Sequence, residues 1–391
     1  MINIIPHWLT YFSAMSFSFF ITLHYGFIFG EMGVKLEISK FETILFYFVN
    51  IIIFFLIFVF YKILTYRHFK SVFIIKPKKF IFLYVVIVLF DLIFTAFTGV
   101  GVLFSNAESK YSFLTAIFNP VFLFPIFYLF FRKKISGLVF FVIVVLFSFG
   151  QLQKGWTGFF LLIFFFELYF LFQVVSKKKK LMLVFIVPVF VMFVGSYFYM
   201  IVEPYKNEIR GLGYNPITYA EGFEKLTSRL TYFPVSLAAY QRADEVVQYY
   251  QMEDIQLKEF YGFFKPLVPG SLMPNKDFRS LNNNVKQPYF NLENNTTSDV
   301  GFFSWNYILI KSSPLDFFVN LLLIVFCVIL IKFVYDSFSS KKGQFDFIIY
   351  LILFSVFYTT APEVVFSRNF FGIVILLPIL FLFGGFVLRR A

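Results

Sequence analysis

Along this chain apolar positions come in long unbroken runs rather than at the period of 3.6 or 2 that an amphipathic helix or a half-buried strand would show. The runs lie near 8–30, 42–64, 80–104, 113–131, 135–150, 157–175, 181–201, 314–335, 345–360 and 369–388. Most of them approach the roughly twenty residues with which a helix crosses ~30 Å of hydrocarbon. The pattern predicts an all-α polytopic membrane protein of about ten transmembrane helices, with the fifth and ninth runs short enough to require tilting or re-entrant neighbours. The first run has no basic leader and no small-residue cleavage site, so it reads as a retained helix rather than a signal peptide. Polar positions gather instead in one stretch, 202–313, which separates seven spans over 1–201 from three over 314–391.

That stretch reads as a large, partly helical external loop. Tyr219, Phe223, Leu226, Leu230, Phe233 and Leu237 recur at alternating steps of four and three, which is one face of a helix, with a break expected at Pro234. A second helix is expected to about Tyr250. From Pro266 to Thr297 the chain is rich in Pro, Asn and Gly. It reads as an ordered loop lying on the membrane surface, because Phe263, Phe264, Leu267, Leu272, Met273, Tyr289 and Phe290 would not be left in water.

Composition narrows the class. Of 391 residues 59% are hydrophobic, 67 are Phe and only 14% are charged, against the roughly one quarter that a soluble chain uses to cover its surface. A soluble enzyme, a disordered chain and a disulfide scaffold are excluded. The single cysteine, Cys327, sits inside an apolar run and reads as a small buried hydrophobe. The net charge of +12 acquires meaning from its placement. Basic residues follow every even-numbered span: Arg67, Lys70, Lys76, Lys78 and Lys79; Arg132, Lys133 and Lys134; Lys177 to Lys180; Lys341 and Lys342; Arg389 and Arg390. The positive-inside rule then puts both termini in the cytoplasm and the large loop outside, with no nucleic-acid partner implied. Lys177 to Lys180 also suit anionic lipid headgroups.

Charges at membrane depth cost about 2.5–3.5 kcal/mol on insertion scales, so they face a protein interior or a cavity. Asp91 and Glu167 lie mid-span and are expected to pair with a neighbouring helix's hydroxyl or base. Arg368, in the segment Ala361-Pro-Glu363-Val-Val-Phe-Ser-Arg368-Asn369, lies at the outer start of the last span, where it snorkels or serves an outward-facing site. Lys154, in the short turn before Trp156, faces headgroups or substrate. In the large loop Arg210 follows Glu203 and Glu208, Lys225 and Arg229 share one helical face, and Arg242 precedes Asp244 and Glu245. These cations suffice for two phosphates; the competing reading is a solvated face with pairs such as Glu221 and Lys225 four residues apart. Arg229 flanks the apolar stripe that must dock, where a guanidinium can fork onto phosphate oxygens.

The three histidines, His7, His24 and His68, all lie outside the loop. His24 reads as a hydrogen-bonded core residue. No His, Cys or carboxylate cluster has metal-ligand spacing, and no phosphate loop or dinucleotide fingerprint occurs, so neither metal nor cofactor is expected.

Several features together resemble the Wzy-type polysaccharide polymerases, membrane enzymes that link O-antigen or capsule repeat units outside the inner membrane. One is the many-helix topology with a single large external loop late in the chain. Gln153-Lys154-Gly155 is similar to the Arg-Gly that such polymerases often carry in a short external turn, with Lys in place of Arg. Ser228-Arg229-Leu230 is a third feature. The fourth is Pro266-Leu-Val-Pro269-Gly270-Ser-Leu-Met273-Pro274-Asn-Lys276-Asp277, followed by Thr297-Ser-Asp-Val-Gly301. It is similar to the Pro-Arg-x-x-Trp-Pro-x-Lys-Pro stretch of related polymerases, but Gly270 stands for the Arg, Met273 for the Trp and Asp277 for the last Pro.

The resemblance implies a fold similar to the GT-C glycosyltransferases in a bacterial cytoplasmic membrane, and a metal-independent glycosyltransferase. Such an enzyme moves the growing glycan from undecaprenyl pyrophosphate to the terminal sugar of a second carrier-linked repeat. Pyrophosphate would be held by Lys154, Arg210, Arg229, Arg242, Lys276 and Arg368. With no loop histidine the base for the attacking hydroxyl would be a carboxylate, with Glu203, Glu208 and Glu363 as candidates. Partners would be undecaprenyl-pyrophosphate-linked oligosaccharides of capsule or lipopolysaccharide, the bilayer, a chain-length regulator and a flippase. The alternatives are a flippase or transporter of lipid-linked glycans, a membrane acyltransferase, and the related O-antigen ligases, which carry a loop histidine that this chain lacks.

Overall fold

The computed structural model describes residues 2–28, 36–99, 117–154, 158–209, 213–252, 257–264, 300–339, 343–359 and 372–389, together with 114, 281 and 341. In chain order the elements are α1 (Ile5–Tyr25), β1 (Phe27–Ile28), β2 (Leu36–Glu37), α2 (Lys40–Tyr66), β3 (Phe73–Ile75), α3 (Pro77–Thr98), α4 (Phe124–Phe131), α5 (Gly137–Gln153), α6 (Phe159–Val174) and α7 (Lys177–Ile209). They continue with α8 (Tyr219–Thr231), α9 (Phe233–Gln241), α10 (Ala243–Gln251), α11 (Lys258–Phe264), α12 (Phe302–Ser312), α13 (Pro314–Phe338), α14 (Asp346–Phe354), α15 (Leu377–Leu382) and β4 (Phe386–Leu388). A π-helical turn, Ser355–Thr359, prolongs α14, and another, Gly372–Leu376, leads into α15.

Among the described residues α2, α3, α7 and α13 are long and apolar enough to cross a membrane, and α5, α6, α14 and α15 belong to shorter apolar stretches. Ile52, Phe55 and Ile63 on α2, and Phe185, Val189 and Phe193 on α7, point away from the protein. A helix clothed in apolar side chains on its outer side needs a hydrocarbon solvent, since its backbone polar groups are already satisfied internally. The chain is thus helical with the character of a membrane protein.

Two expected spans are interrupted. The run at 113–131 is broken in the middle: Leu114 and Ile117 are helical, with Phe118 N–H donating to the Leu114 carbonyl at 2.9 Å, and α4 begins at Phe124 after a turn at Asn119-Pro120 in which Asn119 Oδ1 accepts from the Val121 N–H at 3.0 Å. The run at 369–388 leaves the helix after Leu382: Gly384 takes a left-handed φ of 73°, and Phe386–Leu388 pairs antiparallel with Phe73–Ile75. His24 is also a correction. It is exposed at the end of α1, whereas His7 is the buried one, stacked on Tyr11 at 4.6 Å and edge-on to Phe354 at 4.7 Å.

The chain forms two compact units. The first comprises Met1–Phe60, Val174–Leu323 and Ile352–Val365, so it groups the loop helices with α1 and α7. Here α8 packs on α7 and α1 through small residues. A Cβ on Gly222 would stand 2.6 Å from the Ser196 carbonyl, and one on Gly195 would stand 2.8 Å from Leu226. The stripe read from the sequence is the docked face, with Leu226, Leu230, Phe233 and Leu237 buried. The break falls at Tyr232, whose φ is +47°, and Pro234 sits in the first turn of α9, where its missing N–H leaves no bond unmade. The expected second helix is thus two, α9 and α10.

A reciprocal cap starts α8: Glu221 N–H donates to Thr218 Oγ1 at 3.3 Å while Thr218 N–H donates to Glu221 Oε2 at 2.6 Å. That N–H, then the Thr218 hydroxyl, holds the Glu221 carboxyl below its ordinary range. The cap therefore contributes stability above that range and loses it as pH falls through the lowered value. Further along, the Gly301 N–H donates to Ser236 Oγ at 2.8 Å and Ser304 Oγ donates to the Ser236 carbonyl at 2.7 Å, joining α9 to α12.

The second unit comprises Tyr61–Gln173, Ile324–Leu351 and Phe366–Ala391. Its interior is aromatic: Phe124 and Phe147 stack at 4.0 Å and Tyr84 on Phe127 at 4.8 Å. On α13 the buried Lys332 pairs with Asp336 one turn on, and Asp336 also accepts from the Phe69 N–H at 3.1 Å.

Replacing Gly222 by Ala forces the α7 backbone and α8 apart. We expect Gly222→Ala to destabilise the protein by about 1–3 kcal/mol, read as a lowered thermal midpoint in detergent, and an unchanged midpoint would remove this close approach.

Candidate functional site

In the first unit, α8 carries Lys225 and Arg229 one turn apart, and α7 brings Glu203 beside Lys225. Glu203 is buried, and its Oε1 accepts from Lys225 Nζ at 3.2 Å, while the Lys225 side chain stays partly exposed. The pairing of Glu221 with Lys225 suggested by their spacing is displaced. Glu221 turns back to cap α8, and Lys225 reaches across to the helix below.

Arg229 is half-buried, between the buried Ser228 and Leu230, in the last turn of α8. A cation near a helix C-terminus is favoured by the helix dipole, which helps to keep it in place. Glu208 is exposed in the last turns of α7. Arg242, between α9 and α10, lies 3.5 Å from Glu245 Oε2 at a partly exposed position.

One residue of this face was missed from sequence. Glu224 is half-buried, and Tyr25 at the end of α1 hydrogen-bonds to it. Burial, and then the nearby Glu221 charge, raise its carboxyl above the ordinary range. Its only sequence signal was a place on the same helix as two cations. A buried polar network was also missed: Asp316, at the start of α13, accepts from Tyr250 Oη at 3.2 Å and from the Leu257 N–H at 2.7 Å, and the buried Lys258 donates to the Tyr250 carbonyl. It ties α10, α11 and α13 together and does not meet the α8 cations in any described contact.

Lys154 belongs to the second unit. There α5 ends at Gln153, and Lys154 donates to Asp91 Oδ1 on α3, with Asp91 fully enclosed. Gly150 faces this carboxylate: a Cβ there would lie in ordinary contact with Asp91 Oδ2, at 3.6 Å. The ammonium expected to face headgroups or substrate is engaged by a buried charge instead, because an unpaired Asp91 would be far more costly at that depth. Glu167 finds its base and hydroxyl in Arg132, which forks onto it at 2.6 and 3.1 Å, and Tyr128 Oη at 2.6 Å.

Arg210, Lys276, Glu363 and Arg368 lie outside the described residues, as do 155–157, the 361–369 segment and the Pro266–Lys276 motif. Of the expected site residues, the described part of the first unit thus brings Glu203 and Arg229 to one pair of packed helices, with Lys225 between them in the α8 register. No grouping of three metal-ligating side chains occurs among the described residues. Comparison with known protein families, with curated proteins and with solved structures yields no match to this chain.

The enclosed pair gives a sharp test. Lys154→Met, which strands the Asp91 charge, is expected to cost about 3–5 kcal/mol of stability. Adding Asp91→Asn should restore most of the thermal midpoint. Equal midpoints for the single and double variants would show that the two groups do not depend on each other.

Proposed function

We propose that this protein polymerises lipid-linked glycan repeat units in a bacterial inner membrane, with ten helical spans of GT-C type, both termini cytoplasmic and the α8 to α12 region outside. The observation that carries this reading is the placement of Lys225 and Arg229 one turn apart on α8, flanking the stripe through which that helix docks onto the long apolar α7. Two cations at the edge of a lipid-facing bundle suit the head of a polyprenyl diphosphate, whose tail belongs in the hydrocarbon beside it.

The chemistry asks little of the protein. A hydroxyl of the acceptor sugar attacks the anomeric carbon of the donor, and the new glycosidic C–O bond forms as the bond from that carbon to the diphosphate oxygen breaks. The electron pair leaves on undecaprenyl pyrophosphate, and the hydroxyl proton passes to a carboxylate. Diphosphate is a good leaving group, so the largest contribution comes from fixed cations that meet the charge as it grows. Arg229 would fork onto phosphate oxygens, and Lys225, oriented by Glu203, would meet the other side. Glu203 is the candidate base beside Lys225, with Glu208 and Glu363 the alternatives. Lys154, neutralised by Asp91, would support the bundle rather than grip phosphate.

Gel analysis of surface polysaccharide in a strain lacking this protein tests the reading. Single-repeat product is expected. Long chains of normal length distribution would refute polymerisation, and complete loss of surface glycan would point to transport instead. Arg229→Ala, at normal protein level, should slow chain extension by about 10²–10³-fold, the effect of removing one preorganised donor.

A further inference from the structure

A second cluster on the first unit plays no part in the transfer step. Tyr240, near the end of α9, and Tyr307, on α12, have ring centroids 5.0 Å apart, and Phe303, one turn before Tyr307, lies 5.5 Å from Tyr240. All three rings are half-buried. Under them Phe46 of α2 is fully buried, 5.5 Å from Tyr240 and 5.8 Å from Phe303. The same Phe46 also touches Phe233, at 5.4 Å, just beyond the end of α8. Phe46 thus backs both ends of α9, which follows directly on the helix that carries Lys225 and Arg229.

Charged groups rim these rings. Lys311 Nζ stands 5.0 Å from the Tyr307 ring centre and donates to Asp244 Oδ1 at 2.8 Å, with Asp244 largely exposed. Arg242 and Glu245 pair at 3.5 Å on the adjoining turn. Burial, then the Tyr307 phenol and the Glu42 carboxylate, push the Tyr240 phenol above its ordinary range against the opposing effect of Lys311, and like any tyrosine it offers an O–H donor at neutral pH.

The rim of Lys311, Arg242, Asp244, Glu245 and Glu42 carries nearly balanced charge, so it has no net pull on phosphate. Aromatic rings backed by Phe46, tilted by 53° between Tyr240 and Tyr307 and by 43° between Tyr240 and Phe303, with hydrogen-bond donors and acceptors around them and Lys311 over Tyr307, suit a sugar: the C–H face of a pyranose lies on an aromatic ring while its hydroxyls reach outward to carboxylate and ammonium. We propose that Tyr240, Phe303 and Tyr307, with Asp244 and Lys311, form a carbohydrate-binding platform for sugars of the glycan that lie away from the reacting bond. The identity of that carbohydrate as the glycan being extended rests on the polymerase reading.

The test uses the full-length protein in nanodiscs and, as probe, the lipid-free and phosphate-free oligosaccharide released by hydrolysis from the strain's own surface polysaccharide. Binding is read by calorimetry and by saturation transfer to the sugar ring protons. The parent should bind. Tyr240→Ala and Tyr307→Ala should each weaken affinity roughly tenfold, and Tyr240→Phe should keep most of it. Asp244→Asn, at an exposed position, should weaken binding without disturbing the fold. No binding to the parent, or equal binding by parent, Tyr240→Ala and Asp244→Asn, would overturn the platform. Binding with this mutational pattern in a protein whose deletion leaves chain length unchanged would keep the platform and refute polymerisation; loss of polymerisation on deletion with no binding here would do the reverse.

Discussion

A charge removed from water must find its counterpart within a side chain's reach, and this requirement organises both units. Asp91 takes Lys154, Glu167 takes Arg132 and Tyr128, and Asp336 takes Lys332. Glu203 takes Lys225. In the first three cases the partners enclose or fork onto each other and little charge is left over. The fourth differs in setting, because Arg229 stands one turn beyond the pair on the same half-buried stretch of α8, which also carries Glu224. Two cations on a half-buried surface, rather than one enclosed pair, are what the proposed diphosphate ligand would use.

Geometry of the backbone puts the two cations there. Gly222 and Gly195 bring α8 and α7 to a separation that larger residues would prevent, so Lys225 can reach Glu203 across the helix boundary. Glu221 is occupied at the N-terminus of α8 by Thr218, so Lys225 bonds to Glu203 rather than to the carboxylate one turn before it. At the other end Tyr232 adopts a left-handed φ and turns the chain into α9, so α8 stops two residues after Arg229. Each of these local choices serves the same placement, which is the consistency expected of a sequence with one preferred structure.

Much of this was legible in the chain. Unbroken apolar runs located the long helices, the steps of four and three found the docked face of α8, and the cost of a lone charge in lipid foretold partners for Asp91 and Glu167. Hydropathy alone could not find the turn at Asn119-Pro120 or the strand after Gly384-Gly385, because a buried strand and a spanning helix are equally apolar; the punctuating Pro and Gly pairs were the available signal. Lys154 and Lys225 have partners 63 and 22 residues away, and spacing rules for one helix are blind to such distances. Glu224, the Asp316 network and the Tyr240–Tyr307 pair escaped for the same reason: residues from different helices compose them, and none forms a motif.

The central claim is that the Lys225 and Arg229 face of α8 grips a polyprenyl diphosphate. Photo-crosslinking in nanodiscs with a polyprenyl diphosphate bearing a photoreactive group beside its head, followed by peptide mapping, tests it directly. Labelling concentrated on the 219–231 peptide, competed away by undecaprenyl pyrophosphate and lost in an Arg229→Ala, Lys225→Ala double variant, is the predicted result. Labelling spread evenly over the lipid-facing helices, indifferent to competitor and to these substitutions, would contradict it.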